Sequence, residues 1–156
     1  MRSGGKQAVL CALAALVTLL CPRAAAAQVL VTSDQNLTFG QVTPGVPMQV
    51  APTDITRRAA LSVNGRGRYR VTFVLPTQLN GPSGQQIPVT FGATDGQIQI
   101  KNKTEVFNPV TGHEFRIIPQ DTDAQIYLGG RATPASGVRA GTYTATIVMT
   151  IVQTGT

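Results

Sequence analysis

Tryptophan is absent from this 156-residue sequence, histidine occurs once, and the only cysteines are Cys11 and Cys21. With no cysteine beyond residue 21 and no tryptophan at all, an antibody-type core of a Trp packed on an inter-sheet disulfide is excluded. His113 has no second histidine or cysteine to cooperate with, so neither a zinc-ligand spacing nor a nucleophile with its base can be drawn. Charged residues are only 13% of the chain, and no concentrated basic stripe of the kind that grips nucleic acid stands out. Long helical runs are missing too, because 16 glycines and 10 prolines punctuate the chain.

The N-terminus supplies an address. Arg2 and Lys6 form a short basic region, Ala8 to Leu20 an apolar run, and Ala25-x-Ala27 offers small residues before Gln28. This pattern predicts a signal peptide over 1–27 and an exported chain, periplasmic, outer-surface or extracellular, with a single domain over 28–156. The apolar run is shorter than the roughly 20 residues a spanning helix needs and ends at Pro22-Arg23, so no transmembrane helix is expected in the mature chain. Leu19 and Leu20 before Cys21 disfavour lipid attachment, which asks for small residues there. Cleavage removes both cysteines and Arg2, Lys6 and Arg23, leaving ten basic against seven acidic residues, a net +3 in place of +6. Stability must then come from the core rather than from disulfides.

The remaining sequence alternates. Ala59-Leu61-Val63, Tyr69-Val71-Phe73-Leu75 and Ile87-Val89-Phe91 recur at every second position. Shorter pairs follow at Ile98/Ile100, Phe115/Ile117 and Ile126/Leu128. Pro44-Gly45, Asn64-Gly65, Asn80-Gly81-Pro82, Asp95-Gly96 and Gly129-Gly130 separate these runs at strand-and-turn spacing. From Ala140 to Thr154 the alternation is longest: Tyr143, Ala145, Ile147, Met149 and Ile151 fall on one face and threonines on the other. The pattern predicts an all-β, antiparallel, immunoglobulin-like β-sandwich of about seven to nine strands.

Three stretches carry a resemblance: Leu37-Thr38-Phe39-Gly40, Ile126-Tyr127-Leu128-Gly129-Gly130, and Ala140-Gly141-Thr142-Tyr143 followed by the closing strand. Together they resemble the secreted bacterial family called domain of unknown function 4402, and more distantly spore-coat U and chaperone–usher pilin domains. The resemblance implies an exported, pilin-like β-sandwich at the bacterial surface and no catalytic residue. The chain departs from the pilin and spore-coat pattern in lacking mature cysteines and in having Ala145 where an acidic residue often follows Thr-Tyr-Thr.

Candidate sites are few. Arg66, Arg68 and Arg70 share the strand face opposite Tyr69 and Val71, with Arg57 and Arg58 upstream, and form a candidate anion-binding stripe. An acidic glycan, a lipopolysaccharide phosphate or an acidic neighbouring subunit would suit it; a solvated outer face is the plainer reading. Val29 and Val31 at the front, and Tyr143, Ile147, Met149 and Ile151 at the back, are candidate assembly-strand residues, because long uncharged terminal strands recruit partners unless paired. The front segment either is donated to a neighbour or pairs in its own sheet. His113 reads as a solvated loop residue. Asp121-Thr122-Asp123 reads as a polar turn lacking the glycine and distal glutamate of a calcium loop, and no metal or cofactor is expected. Asn36-Leu37-Thr38 and Asn102-Lys103-Thr104 are short glycosylation-pattern matches of the kind that arise by chance. The functional expectation is a non-catalytic surface protein, a structural or adhesive subunit of a pilus-like or coat-like assembly, with self-association or neighbouring subunits as partners and no nucleic acid. The alternatives are a monomeric secreted module for an anionic or carbohydrate ligand, and a secreted enzyme, for which no residue set speaks.

Overall fold

The structure, a computed structural model, describes residues 29–121 and 123–155; the expected signal peptide lies outside them. Twelve strands follow in chain order: β1 (Leu30–Gln35), β2 (Met48–Val50), β3 (Ala59–Asn64), β4 (Gly67–Val74), β5 (Gln78–Asn80), β6 (Gln86–Thr90), β7 (Gly96–Ile100), β8 (Lys103–Phe107), β9 (His113–Ile117), β10 (Ala124–Leu128), β11 (Gly130–Ala132) and β12 (Val148–Gly155). Among the described residues the protein is all-β, 50% strand, and every sheet is antiparallel. Among the described residues no helix is long and apolar enough to cross a membrane. Twelve strands exceed the seven to nine expected because β2, β5 and β11 are three residues each, too short for an alternation to register, and β8 has no apolar alternation. Leu37 and Phe39, expected to form a front strand, lie outside any strand.

A five-stranded sheet runs β1-β3-β10-β7-β8, a three-stranded sheet β12-β4-β9, and a four-stranded sheet β2-β11-β6-β5. The first two close on one core. Val63, Ile98, Phe107 and Ile126 from the five-stranded sheet meet Tyr69, Val71, Phe115 and Ile117 from the three-stranded one, in a sandwich-like arrangement. The sets read from alternation reach one core or the other, except Leu75, which lies beyond the end of β4 and joins neither. A second, smaller core joins Phe39, Val50, Ile87, Val89 and Ala132, and Leu37 packs on both. All three resemblance stretches therefore reach a core: Leu37 and Phe39 at the front, Ile126 with Leu128 on β10, and Tyr143 at the back.

Glycine is required at two of the connections that change sheet. Between β3 and β4 the chain leaves one sheet for the other, and the Tyr69 hydroxyl donates to the Arg66 carbonyl at 2.9 Å. A Cβ on Gly65 would lie 2.6 Å from that hydroxyl, so only glycine lets the ring tuck under the turn. Between β10 and β11, Gly129 donates its N–H to the Asp95 carbonyl at 2.8 Å, and a Cβ there would collide with the Val50 carbonyl oxygen. Asp95 itself is buried, and its carboxylate accepts the Gly92 N–H at 2.6 Å, closing the turn before β7.

The closing alternation is not one strand. Only Val148–Gly155 pairs, with β4, whereas Thr144 makes an isolated bridge to Asn80 on β5 and Tyr143 packs on the second core. The reason is a change of sheet. Residues 143–147 cross from the four-stranded to the three-stranded sheet, so no single partner strand is available along their length, and Ala145 is exposed.

Candidate functional site

The two sheets around the larger core meet unevenly along their sides. On one side, β9 lies over β8: the His113 ring stacks on Phe107 at 5.0 Å between centroids, and its Nε2 is 3.2 Å from Glu105. His113 is thus a half-buried residue of β9, not a solvated loop histidine, because the Phe107 ring covers it.

On the opposite side stand β1, an end strand of its sheet, and β12, an end strand of the other. Between them, and running on beneath the 36–44 and 138–147 segments to the second core, lies a cleft of about 930 Å³ lined by Leu37, Leu61, Phe73, Ile147 and Met149 among others. These side chains point inward yet are only half-buried, since no strand covers them from the side. The flanking edges differ in charge. β12 has no ionisable side chain, and its outward Val148 and Val152 are 50% and 55% exposed. β1 carries Asp34, which accepts hydrogen bonds from the Thr32 and Ser62 hydroxyls. The front segment pairs within its own sheet: Val31 faces Val63 in the β1–β3 ladder, and Val29 packs on the larger core. Of the assembly-strand candidates, Ile147 and Met149 line the cleft, Ile151 packs on the same core, Val31 lies on the flanking edge, and Tyr143 lines the cleft from the second core.

The arginine stripe is divided by its neighbours. Arg66, Arg68 and Arg70 are all exposed, but only Arg68 and Arg70 stand on the outward face of β4; Arg66 lies in the bend before it, so the expected strand stripe is shorter by one. Arg70 is spent on Glu114 of β9, at 3.1 Å. Arg68 stands directly opposite Arg116 of β9, a pairing of like charges that costs rather than gains stability in an isolated sheet. Arg57 and Arg58 do not extend the stripe. Arg57 forms an ion pair with Asp54 at 2.7 Å, and Arg58 lies over the Tyr127 ring, 3.4 Å from its centroid, while donating to the Pro52 carbonyl. Arg116 was missed by sequence reasoning. Phe115 and Ile117 give its outward direction, but which strand β9 would pair with, and hence what Arg116 would face, is not written in β9 itself.

Two groups have shifted ionisation. Hydrogen bonds from Thr56 and Arg57 hold the Asp54 carboxyl below its ordinary value, and burial raises Tyr69 above the ordinary phenol value. Asp121 accepts the Ile118 N–H, and Asp123 accepts from the Gln125 side chain at 2.7 Å, so both serve local turns. Among the described residues there is no group of three or more His, Cys, Asp or Glu side chains placed to hold a metal ion. No protein-family model matches the chain, and no curated protein matches it.

Proposed function

We propose that this chain is an exported, non-catalytic surface protein: a structural or adhesive subunit of a pilus-like or coat-like assembly, built on an immunoglobulin-like, pilin-like sandwich. The observation that carries the reading is the open side between β1 and β12. An apolar cleft of about 930 Å³ lies beside an uncharged, eight-residue end strand. Such an edge offers a row of backbone donors and acceptors, and it lacks the lysine or proline that keeps edges from pairing. An extended segment added along β12 would bond to that row and set alternate side chains over Ile147, Met149 and Phe73. The signal-peptide pattern, the absence of any readable catalytic set, and the resemblance of the three sequence stretches to secreted bacterial surface domains support the same reading.

The test is the size of the mature protein, measured by size-exclusion chromatography with light scattering, against a variant with Thr150→Lys and Val152→Lys on β12. The expected result is concentration-dependent multimers for the parent and monomers for the variant, with unchanged far-UV spectra. A parent that stays monomeric at high concentration and forms no surface structures in its host overturns the proposal.

A further inference from the structure

A second cleft, of about 870 Å³, opens on the other side of the larger core, between the β7–β8 turn and β9. Its rim carries four cations: Arg68, Lys101, Lys103 and Arg116. None of them has a carboxylate within ion-pair distance among the described residues. The carboxylates on the same rim are already engaged: Glu114 with Arg70, Glu105 with His113, and Asp121 with the Ile118 N–H. Only Glu114 is matched by a cation, Arg70; Glu105 and Asp121 keep their charge, so the four cations outnumber the two unmatched carboxylates on the rim.

Two local features stand out among these cations. Arg68 and Arg116 face each other across the β4–β9 ladder, where like charges repel. Lys101, in the two-residue turn joining Ile100 to Lys103, has φ of +53°, a left-handed conformation that glycine or asparagine adopts with far less strain. An anion bridging Arg68 and Arg116 would turn their repulsion into attraction, and guanidinium groups match planar anions with two parallel hydrogen bonds.

We infer that this cleft binds an acidic polysaccharide, a glycan bearing carboxylate or sulfate groups. The cations are spread around the rim instead of converging on one buried point, so the site suits repeated anions on a chain better than one small ion. Between them stand Asn102, Gln120 and the carboxylates of Glu105, Glu114 and Asp121, which offer donors and acceptors to sugar hydroxyls. The nearest aromatic rings, Tyr69 and Phe115, are buried, which leaves no platform for stacking nucleic-acid bases. Arg68 and Thr154 place this cleft towards the opposite end of β4 and β12 from Phe73 and Met149, and none of its four cations lines the first cleft.

The experiment measures binding of the mature protein to polygalacturonate and to heparin by calorimetry at low and at physiological salt. Neutral dextran, single-stranded DNA and phosphatidylglycerol vesicles serve as comparisons. Three variants complete it: Arg68→Gln with Arg116→Gln, Lys101→Gln with Lys103→Gln, and Arg131→Gln with Arg139→Gln, two exposed arginines outside the cleft. The expected result is binding to at least one acidic glycan that weakens with salt, no binding to dextran, and at least tenfold loss in each cleft variant. The outside variant should match the parent, and all should keep the parent's far-UV spectrum. Equal losses in the outside variant would show an effect of net charge alone and overturn the site. Failure to bind either acidic glycan at low salt, or tighter binding to DNA or to vesicles than to both glycans, would overturn the ligand.

Discussion

Strands β4 and β12 are paired neighbours, each eight residues long, and each alternates in sequence. Their inward faces nevertheless have different depths. Tyr69 and Val71 on β4 are completely buried, whereas Met149 and Ile151 on β12 are only half-buried. The outward faces differ as well: β4 carries Arg68 and Arg70 beside Thr72 and Val74, whereas β12 has only valines and threonines. Alternation fixes which face a residue occupies, and place in the sheet fixes how deep it sits. The central strand lies beneath the five-stranded sheet, while the end strand borders an open cleft.

The most severe test of that difference is to put a carboxylate on each inward face. Val71→Asp should cost several kcal/mol or prevent folding, because no partner is available at a fully buried site. Ile151→Asp should cost about 1–2 kcal/mol, since its carboxylate can turn towards water at the open side. Urea unfolding of both variants measures the gap, and equal costs would break the contrast. Thr150→Asp, on the outward face of β12, should be nearly neutral in the monomer; a large loss there would mean the strand is in the opposite phase.

A second contrast sets strands against the places where the chain changes sheet. Gly129→Ala would drive a methyl group into the Val50 carbonyl oxygen, a backbone atom that cannot swing aside. A cost of about 1–3 kcal/mol is expected, read as a fall in the melting midpoint. Gly137→Ala, at an exposed position with open space around it, should change the midpoint little. If both substitutions behave alike, the close approach at the β10–β11 crossover is not what holds the two cores in register.

These cases also show what the sequence could and could not reveal. The inward residues of β3, β4, β6, β7, β9 and β10 were legible because a period of two needs only a few consecutive residues, and the burial of Ile87, Ile98 and Ile126 follows it. Partners were not legible. Nothing in Arg66-Gly67-Arg68-Tyr69-Arg70 says that Glu114 neutralises one arginine while Arg116 faces another, since both come from a strand more than forty residues away. The false length of the closing strand has the same origin: Tyr143 to Ile151 alternates throughout, and only the change of partner from Asn80 to β4 reveals the break. The open cleft was invisible for a related reason, because half-burial depends on what lies beside a strand and not on the strand's own residues.

Tyr69 separates burial from hydrogen bonding within β4. Tyr69→Phe keeps the ring under the β3–β4 crossover and removes only the hydroxyl that donates to the Arg66 carbonyl, so a loss of about 1 kcal/mol is expected in urea unfolding at neutral pH. Burial raises the phenol above its ordinary value of 10.0, which favours the neutral form in the folded state. Its contribution is therefore complete below the unfolded value and is lost as pH rises through the folded one. The parent should lose stability above about pH 10 more steeply than Tyr69→Phe. Parallel curves would show that the hydroxyl does not titrate differently in the two states.

The smallest effect belongs to the loop before β3, where stability should depend on acid instead of alkali. The Asp54 carboxylate accepts the Thr56 N–H and hydroxyl and the Arg57 N–H, and it pairs with the Arg57 guanidinium at 2.7 Å. These hydrogen bonds lower its ionisation below the ordinary 3.8. The charged form is then the stabilising one: its contribution is present above the unfolded value and disappears as pH falls through the folded value. The melting midpoint of Asp54→Asn should lie slightly below the parent's between about pH 5 and pH 7, and the difference should close below about pH 4. The pair is partly exposed to solvent, so added salt should shrink the neutral-pH difference while leaving the Val71→Asp penalty intact. A difference that persists unchanged into acid would mean that the substituted amide disturbs the turn by its shape, and that the ion pair between Asp54 and Arg57 contributes nothing measurable to holding the chain at the entrance to β3.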